Sequence, residues 1–442
     1  MTSARRRVLR LAAPALGALA AEPLFVMVDS AIVGRLGTAP LAGLALAGAV
    51  LETCVYLCVF LAYATTAGVA RAFGAGDLPD AARRGVDALW LALGLGLPVA
   101  AILVAFGRPV LGWFGPDAAV LAAASEYLRW SAPGLPAMLV VLAAVGVLRG
   151  LQNTRLTLYV ALAGGVANAT ISFTLCYPAG MGIRGAALGT VISQLGMAAW
   201  AGGSVVALAR RTGTALGPRA RGLGAAGRAG APLFVRTCCL RAAGLATLWV
   251  ATTLGAVELA AHQIVSNVWS FSALCTDALA IAAQALVGAS LGGRDAIRAD
   301  RAAKAGPPPD LAEVKRAVVS LSVGSGAALG AVFAASSWVL PWAFTADPAV
   351  RSAAGLAVAA VAVCMPLAAW AFALDGILMG AAESGGFLAK GMAASVICYL
   401  PWAGAVAAWA DGPFGLTLVW LGYAGWFMAV RALVYRRRAA AI

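Results

Sequence analysis

The chain has 442 residues, of which 62% are hydrophobic and only 11% charged, against about 25% charged in a soluble globular protein. A soluble fold this apolar cannot cover its own surface, so the composition excludes that class and implies a multi-pass membrane protein. The net charge of +14, from 32 Lys+Arg against 18 Asp+Glu, would suggest nucleic acid in a soluble chain; here the basic residues fall between apolar runs, where they orient helices.

Twelve apolar segments follow one another, at 8–34, 40–70, 85–107, 119–148, 156–178, 184–209, 230–254, 257–291, 314–340, 349–380, 386–409 and 414–435. Each exceeds the about 20 residues with which a helix crosses a bilayer. The connections are short and carry Gly, Pro, Asp or Arg. No ten-residue alternating pattern is present, which argues against a β-barrel. The basic start "ARRRVLR" resembles the n-region of a signal peptide, but the apolar run behind it is too long for a cleavable one. If the N-terminus is cytoplasmic, the clusters Arg5–Arg6–Arg7, Arg83–Arg84, Arg210–Arg211 and Arg436–Arg437–Arg438 all fall on the cytoplasmic side, as do Arg301, Lys304 and Arg431. The outer side keeps Arg35, Arg108, Arg129, Arg184 and Arg351. This asymmetry predicts both termini in the cytoplasm and leaves nothing for nucleic acid to explain. The eight cysteines lie inside apolar runs without zinc-site spacing, and read as small buried hydrophobes.

The chain also repeats itself. "RLGTAPLAGLALAG…FGAGD" aligns without gaps on "TLGAVELAAHQIVS…LGGRD", so that Gly37 meets Gly255, Gly74 meets Gly292 and Asp77 meets Asp295. Further on Gly150 meets Gly380, and "GIRG" at Gly182 meets "GPFG" at Gly412; the Pro-rich insert "DRAAKAGPPPDL" at 300–311 accounts for the change of register. Six spans per repeat is an even number, so the halves enter from the same side as parallel repeats. The expected organisation is an N-terminal lobe at 1–211, a basic, Gly-rich cytoplasmic linker at 212–228 and a C-terminal lobe at 229–442.

A charge at the bilayer centre costs about 3 kcal/mol on insertion scales, so each intramembrane acid needs a partner or a task. Asp29, Asp277 and Asp375 are the deepest; Glu22 and Glu52 also lie in spans, and Glu22 precedes Asp29 by two helical turns on the same face. Asp29 and Asp375 have no obvious Arg or Lys partner, whereas Arg236 or Arg241 could neutralise Asp277. Asn168 with Ser172, and Thr190 with Gln194, are i,i+4 polar pairs, and Ser270, Asp277 and Gln284 form a stripe in span eight. Such residues face a cavity or another helix; as simple interhelical hydrogen bonds each is worth about 0.6 kcal/mol. The single histidine, His262, excludes His-dyad and multi-His metal chemistry and reads as an interfacial residue. "LGLGLP" and "GAAG" follow no strand and read as packing glycines.

"EPLFVMVDSAIVGRLG" at 22–37, "LAAHQI", "DALAIAAQALVG" and "LDGILMGAAES" resemble motifs of the multidrug and toxic compound extrusion (MATE) family, in its DinF-like branch. The resemblance covers essentially the whole chain. It implies an all-α membrane protein of twelve transmembrane helices in two pseudo-twofold-related six-helix lobes around a V-shaped cavity. It implies a secondary antiporter of the cytoplasmic membrane, not an enzyme, that exports cationic or amphipathic compounds in exchange for H+ or Na+, with no cofactor and no resident metal. Asp29 then matches the acidic residue that binds the coupling cation, with Asn168, Thr190 and Gln194 around it. Asp375 matches an acidic position of the C-terminal lobe, where Asp277, Gln284, Arg236 and Arg241 would line the cavity. Pro14, and with it Pro23, matches a site of bending in the first helix. Ser172 stands where the family often has a carboxylate, which favours protons over Na+. Trp249, Trp269, Phe271, Trp370 and Phe372 are candidate partners for an aromatic cation, and a monomer is expected. Two rival classes are a lipid-linked precursor flippase, whose phosphate would have to rest on Arg236 and Arg241, and a membrane-embedded transferase, for which the loop at 292–313 lacks an acidic cluster.

Overall fold

Hydrocarbon offers no partners to backbone N–H and C=O groups, so each apolar run must satisfy its own as a helix. The computed structural model describes residues 3–298, 309–381 and 385–442, and among them twelve helices are long and apolar enough to cross a membrane. They are α1 (Ser3–Gly34), α2 (Thr38–Gly74), α3 (Leu78–Gly112), α4 (Ala118–Gly150), α5 (Thr154–Cys176) and α6 (Ile183–Arg211), then α7 (Ala220–Leu254), α8 (Ala256–Arg298), α9 (Leu311–Ser336), α10 (Pro348–Gly380), α11 (Gly385–Trp409) and α12 (Gly412–Ala441). Polar residues in the connections start several of them: Asp77, Asn153, Asp310 and Asp347 each accept a hydrogen bond from a first-turn backbone N–H. α1 runs as one helix through Pro14 and Pro23, each of which removes one backbone hydrogen bond.

The helices form two compact units. The first holds Ala13–Ala231 and the end of α8 from Gly292; the second holds α1 up to Ala12, Pro232–Leu291 and the chain from α9 onward. In the first unit α5 packs on α6, and α4 on α2, α3 and α6. In the second, α10 packs on α9 and α12, and α12 on α11.

The repeat seen in the sequence is a repeat of contacts. In the first unit Gly146 of α4 abuts the Ala62 backbone, 2.7 Å from a Cβ placed on the glycine, and Gly150 abuts Thr66 and Val69. In the second unit Gly376 of α10 abuts Ala280 of α8, and Gly380 abuts Gln284 and Val287. The partners stand in the register of the alignment, and a Gly-x-x-x-Gly face does the same work in both halves: it lets two backbones meet without a side chain between them. The turns repeat too. Gly37, before α2, has φ 128° and Gly255, before α8, has φ 131°, a region open to glycine and costly for other residues.

The expected linker is shorter than its composition suggests. α7 begins at Ala220, because Ala, Arg and Leu favour helix over that stretch and outweigh its scattered glycines. Its start is held against the first unit. Arg83 pairs with Asp87, and its Nη2 donates to the Gly217 carbonyl at 2.8 Å; Trp90 Nε1 donates to Leu216 O at 2.8 Å. Gly222 lies against the Asp87 carboxylate and Gly230 against the Phe60 ring, where any side chain would collide. Likewise α8 continues to Arg298, into the stretch expected as a loop, and Asp295 accepts from Arg71 Nε at 2.8 Å. The Pro-rich insert at 300–311, with Arg301 and Lys304, lies largely outside the described residues, which stop at 298 and resume at 309.

Candidate functional site: a buried carboxylate in the first unit

Asp29 is 5% exposed. Its position on α1 brings it to the packed pair α5 and α6, whose polar i,i+4 positions face inward. Asn168 Nδ2 donates to Asp29 Oδ1 at 2.7 Å, and Thr190 Oγ1 lies 3.3 Å from Asp29 Oδ2. Ser172 Oγ donates to Asn168 Oδ1 at 3.2 Å, which turns the amide N–H toward the acid. Asn168, Ser172 and Thr190 are all buried. The cluster fits because α6 has Gly189 opposite Ser172: a Cβ there would sit 2.2 Å from the serine oxygen. Tyr177 OH donates to Ile32 O at 2.6 Å and pins α1 one turn beyond Asp29.

No Lys or Arg of the described residues forms a salt bridge with Asp29. Four of the five residues expected at this site therefore meet: Asp29, Asn168, Ser172 and Thr190. Gln194, one turn further along α6, is only half-buried and outside the hydrogen-bond chain. Glu22 is exposed and does not join Asp29. The sequence reading missed Tyr127, a buried α4 residue whose hydroxyl adjoins Thr190; within an amphipathic run of α4 it carries no signal that separates it from core. The oxygens gathered here, two from Asp29 and one each from Asn168, Ser172 and Thr190, can hold a proton or a small cation. One carboxylate among neutral donors is a modest charge set for a dehydrated metal ion.

The second unit departs from expectation. Asp375 does have partners. Arg236 Nε of α7 donates to its Oδ1 at 3.2 Å, Arg236 Nη2 reaches Oδ2, and Arg431 Nη2 of α12 binds the same Oδ2. All three are buried, Arg431 at 0% exposure. Arg236 thus binds Asp375, an acid for which the sequence shows no obvious basic partner. Asp277 is half-buried on α8, Gln284 is buried against Gly380, and Arg241 is exposed. Arg431 reads in sequence as part of the basic C-terminal tail, but α12 carries a π-helical segment at Leu421–Phe427 and continues to Ala441, which draws Arg431 into the bundle. A charge placed there without a partner would be prohibitive, and two guanidiniums on one carboxylate supply it.

The aromatic candidates resolve in the same way. The Phe372 ring lies 5.0 Å from the Arg431 guanidinium, Trp269 packs with Trp420 and Tyr423, Phe271 meets Phe333 edge-on, and Trp249 is exposed. His262 is buried with its ring 5.3 Å from Trp420.

A buried, hydrogen-bonded acid inside a twelve-helix membrane bundle marks a candidate functional site. The family model MatE matches residues 14–174 and 232–402. The chain belongs to this family of multidrug efflux transporters, MATE, whose members are not enzymes. Protein DETOXIFICATION 44, chloroplastic, of Arabidopsis thaliana is 32% identical over 86% of this chain and 72% of its own length. DNA damage-inducible protein F of Escherichia coli (strain K12) is 27% identical over 92% of this chain and 89% of its own. The solved structure of the Vibrio cholerae MATE transporter VcmN in its bent form shares the fold at a TM-score of 0.85 and 21% identity, over 99% of this chain and 98% of that one.

Proposed function

We propose that this protein is a proton-coupled antiporter that exports cationic or amphipathic small molecules across the cytoplasmic membrane by alternating access, with Asp29 as the proton acceptor. The observation that carries the reading is the buried Asp29 carboxylate, held by neutral donors and, among the described residues, in no salt bridge. Such an acid is free to change charge, whereas an ion-paired one is not. The Thr190 hydroxyl supplies the complementary switch. It lies 3.3 Å from Asp29 Oδ2 and 3.1 Å from the Ala186 carbonyl oxygen. It donates to Asp29 when the acid is ionised; when Asp29 is protonated, it turns its own proton to Ala186 O and accepts from the acid. Protonation thereby costs no hydrogen bond in the site. Removal of the charge lets α1 bend where Pro14 and Pro23 have already weakened its hydrogen-bond ladder, which closes the site to substrate. Proton and substrate then occupy alternative states of the same unit, and exchange follows. The membrane potential contributes about 2.3 kcal/mol per charge per 100 mV.

Proton coupling is favoured over Na+ because Ser172 brings a hydroxyl rather than a second carboxylate to the cluster. The test is drug accumulation in an efflux-deficient host expressing the chain, with separate pH and Na+ jumps. An outward-to-inward pH jump that drives export at constant Na+ supports the reading; export that follows Na+ alone contradicts it.

A further inference from the structure

The end of α12 and the start of α11 enclose a groove of about 720 Å³, lined by Phe387, Leu433, Val434, Arg436, Arg437, Arg438 and Ala441. Its floor is fixed. Tyr435 OH donates to Leu388 O at 2.9 Å, and Gly391 of α11 lies directly against the Tyr435 ring. The lining has a direction. Leu433 with Arg437, and Val434 with Arg438, are i,i+4 pairs, so one face of α12 changes from apolar to basic within a turn. The change falls where the helix leaves the apolar part of its span. Basic residues gather around the same end of the unit: Lys390 is exposed one turn along α11 from Phe387, and Lys315 Nζ of α9 donates to Ala439 O at 2.9 Å.

We propose that this groove binds an anionic phospholipid, its phosphodiester on Arg437, Arg438 and Arg436 and the upper part of an acyl chain along Phe387, Leu433 and Val434. Guanidinium forks match phosphate oxygens bidentately, and basic side chains beside apolar ones at a bilayer surface select lipids that carry net negative charge. A soluble anion would use the arginines and leave the apolar wall exposed; a zwitterionic lipid would use the wall and leave the arginines uncompensated.

The full-length protein in detergent micelles, titrated with phosphatidylglycerol, with phosphatidylcholine of the same chains and with inorganic phosphate, tests this by native mass spectrometry of bound lipid. Phosphatidylglycerol is expected to bind at least about tenfold more tightly than phosphatidylcholine. The triple variant Arg436→Gln/Arg437→Gln/Arg438→Gln should lose that preference, and Arg210→Gln/Arg211→Gln, at the exposed end of α6, should keep it. These positions are exposed, so folding is retained. Equal binding of the two lipids, displacement of phosphatidylglycerol by inorganic phosphate at equal concentration, or a triple variant that binds like the parent would each overturn the proposal.

Discussion

Asp29 and Asp375 are both aspartates buried in a membrane bundle, and their surroundings are opposite in charge: neutral donors around the first, two arginines on the second. Asp375 joins three helices through two arginines. Removing one member of such a cluster leaves buried charge without compensation. Asp375→Asn should therefore lower stability by about 3–5 kcal/mol, read as a large drop in thermal unfolding temperature in detergent. Asp29→Asn replaces an acid that faces only neutral donors and should stay within about 1 kcal/mol of the parent. Thr190→Val removes the hydroxyl that balances both protonation states; substrate binding should persist while ΔpH-driven transport falls, measured as equilibrium drug binding against uptake in vesicles. Asp29, Asn168, Ser172 and Thr190 each stand out in the sequence as polar interruptions of apolar runs, but it is the family resemblance, not their spacing, that groups Asp29 with Asn168 and Thr190. The sequence concealed the pairing of Asp375 because Arg431 lies near Arg436, Arg437 and Arg438, and a short basic run looks the same whether its first member points inward or to water.

Among the helices, the twelve spans were legible from hydropathy alone because each is forced by the absence of water. Their ends were not. The start of α7 at Ala220 depends on Arg83, Asp87 and Trp90 holding the preceding strip of chain, and the length of α12 depends on a π-helical segment that composition does not reveal. Helix pairing was not legible: the alignment equates Gly150 with Gly380 but does not say which helices they meet, which only the packed structure shows. A side chain at Gly376 would stand 2.6 Å from the Ala280 carbonyl oxygen, with backbone rather than a flexible tip in the way. Gly376→Ala should cost about 1–3 kcal/mol, seen as a lower unfolding temperature, and Gly146→Ala should behave alike in the first unit.

At the scale of the whole molecule, the two ends of the chain meet one element. Arg5 Nη2 donates to Ser320 Oγ of α9 at 3.3 Å, and Ala439 O accepts from Lys315 near the start of the same helix. Reporter fusions at either terminus should therefore report the same side of the membrane, and the distribution of arginines leads us to propose the cytoplasmic side; reporters on opposite sides would refute this topology. The proposed coupling rests on Asp29 of the first unit, whose hydrogen-bond partners are neutral side chains, whereas Asp375 of the second is held by two arginines. Reconstitution into proteoliposomes compares the parent protein with Asp29→Asn and Asp375→Asn under an imposed ΔpH. The account predicts that Asp29→Asn folds, binds drug and loses gradient-driven efflux; a variant that retained full efflux under the same gradient would contradict it.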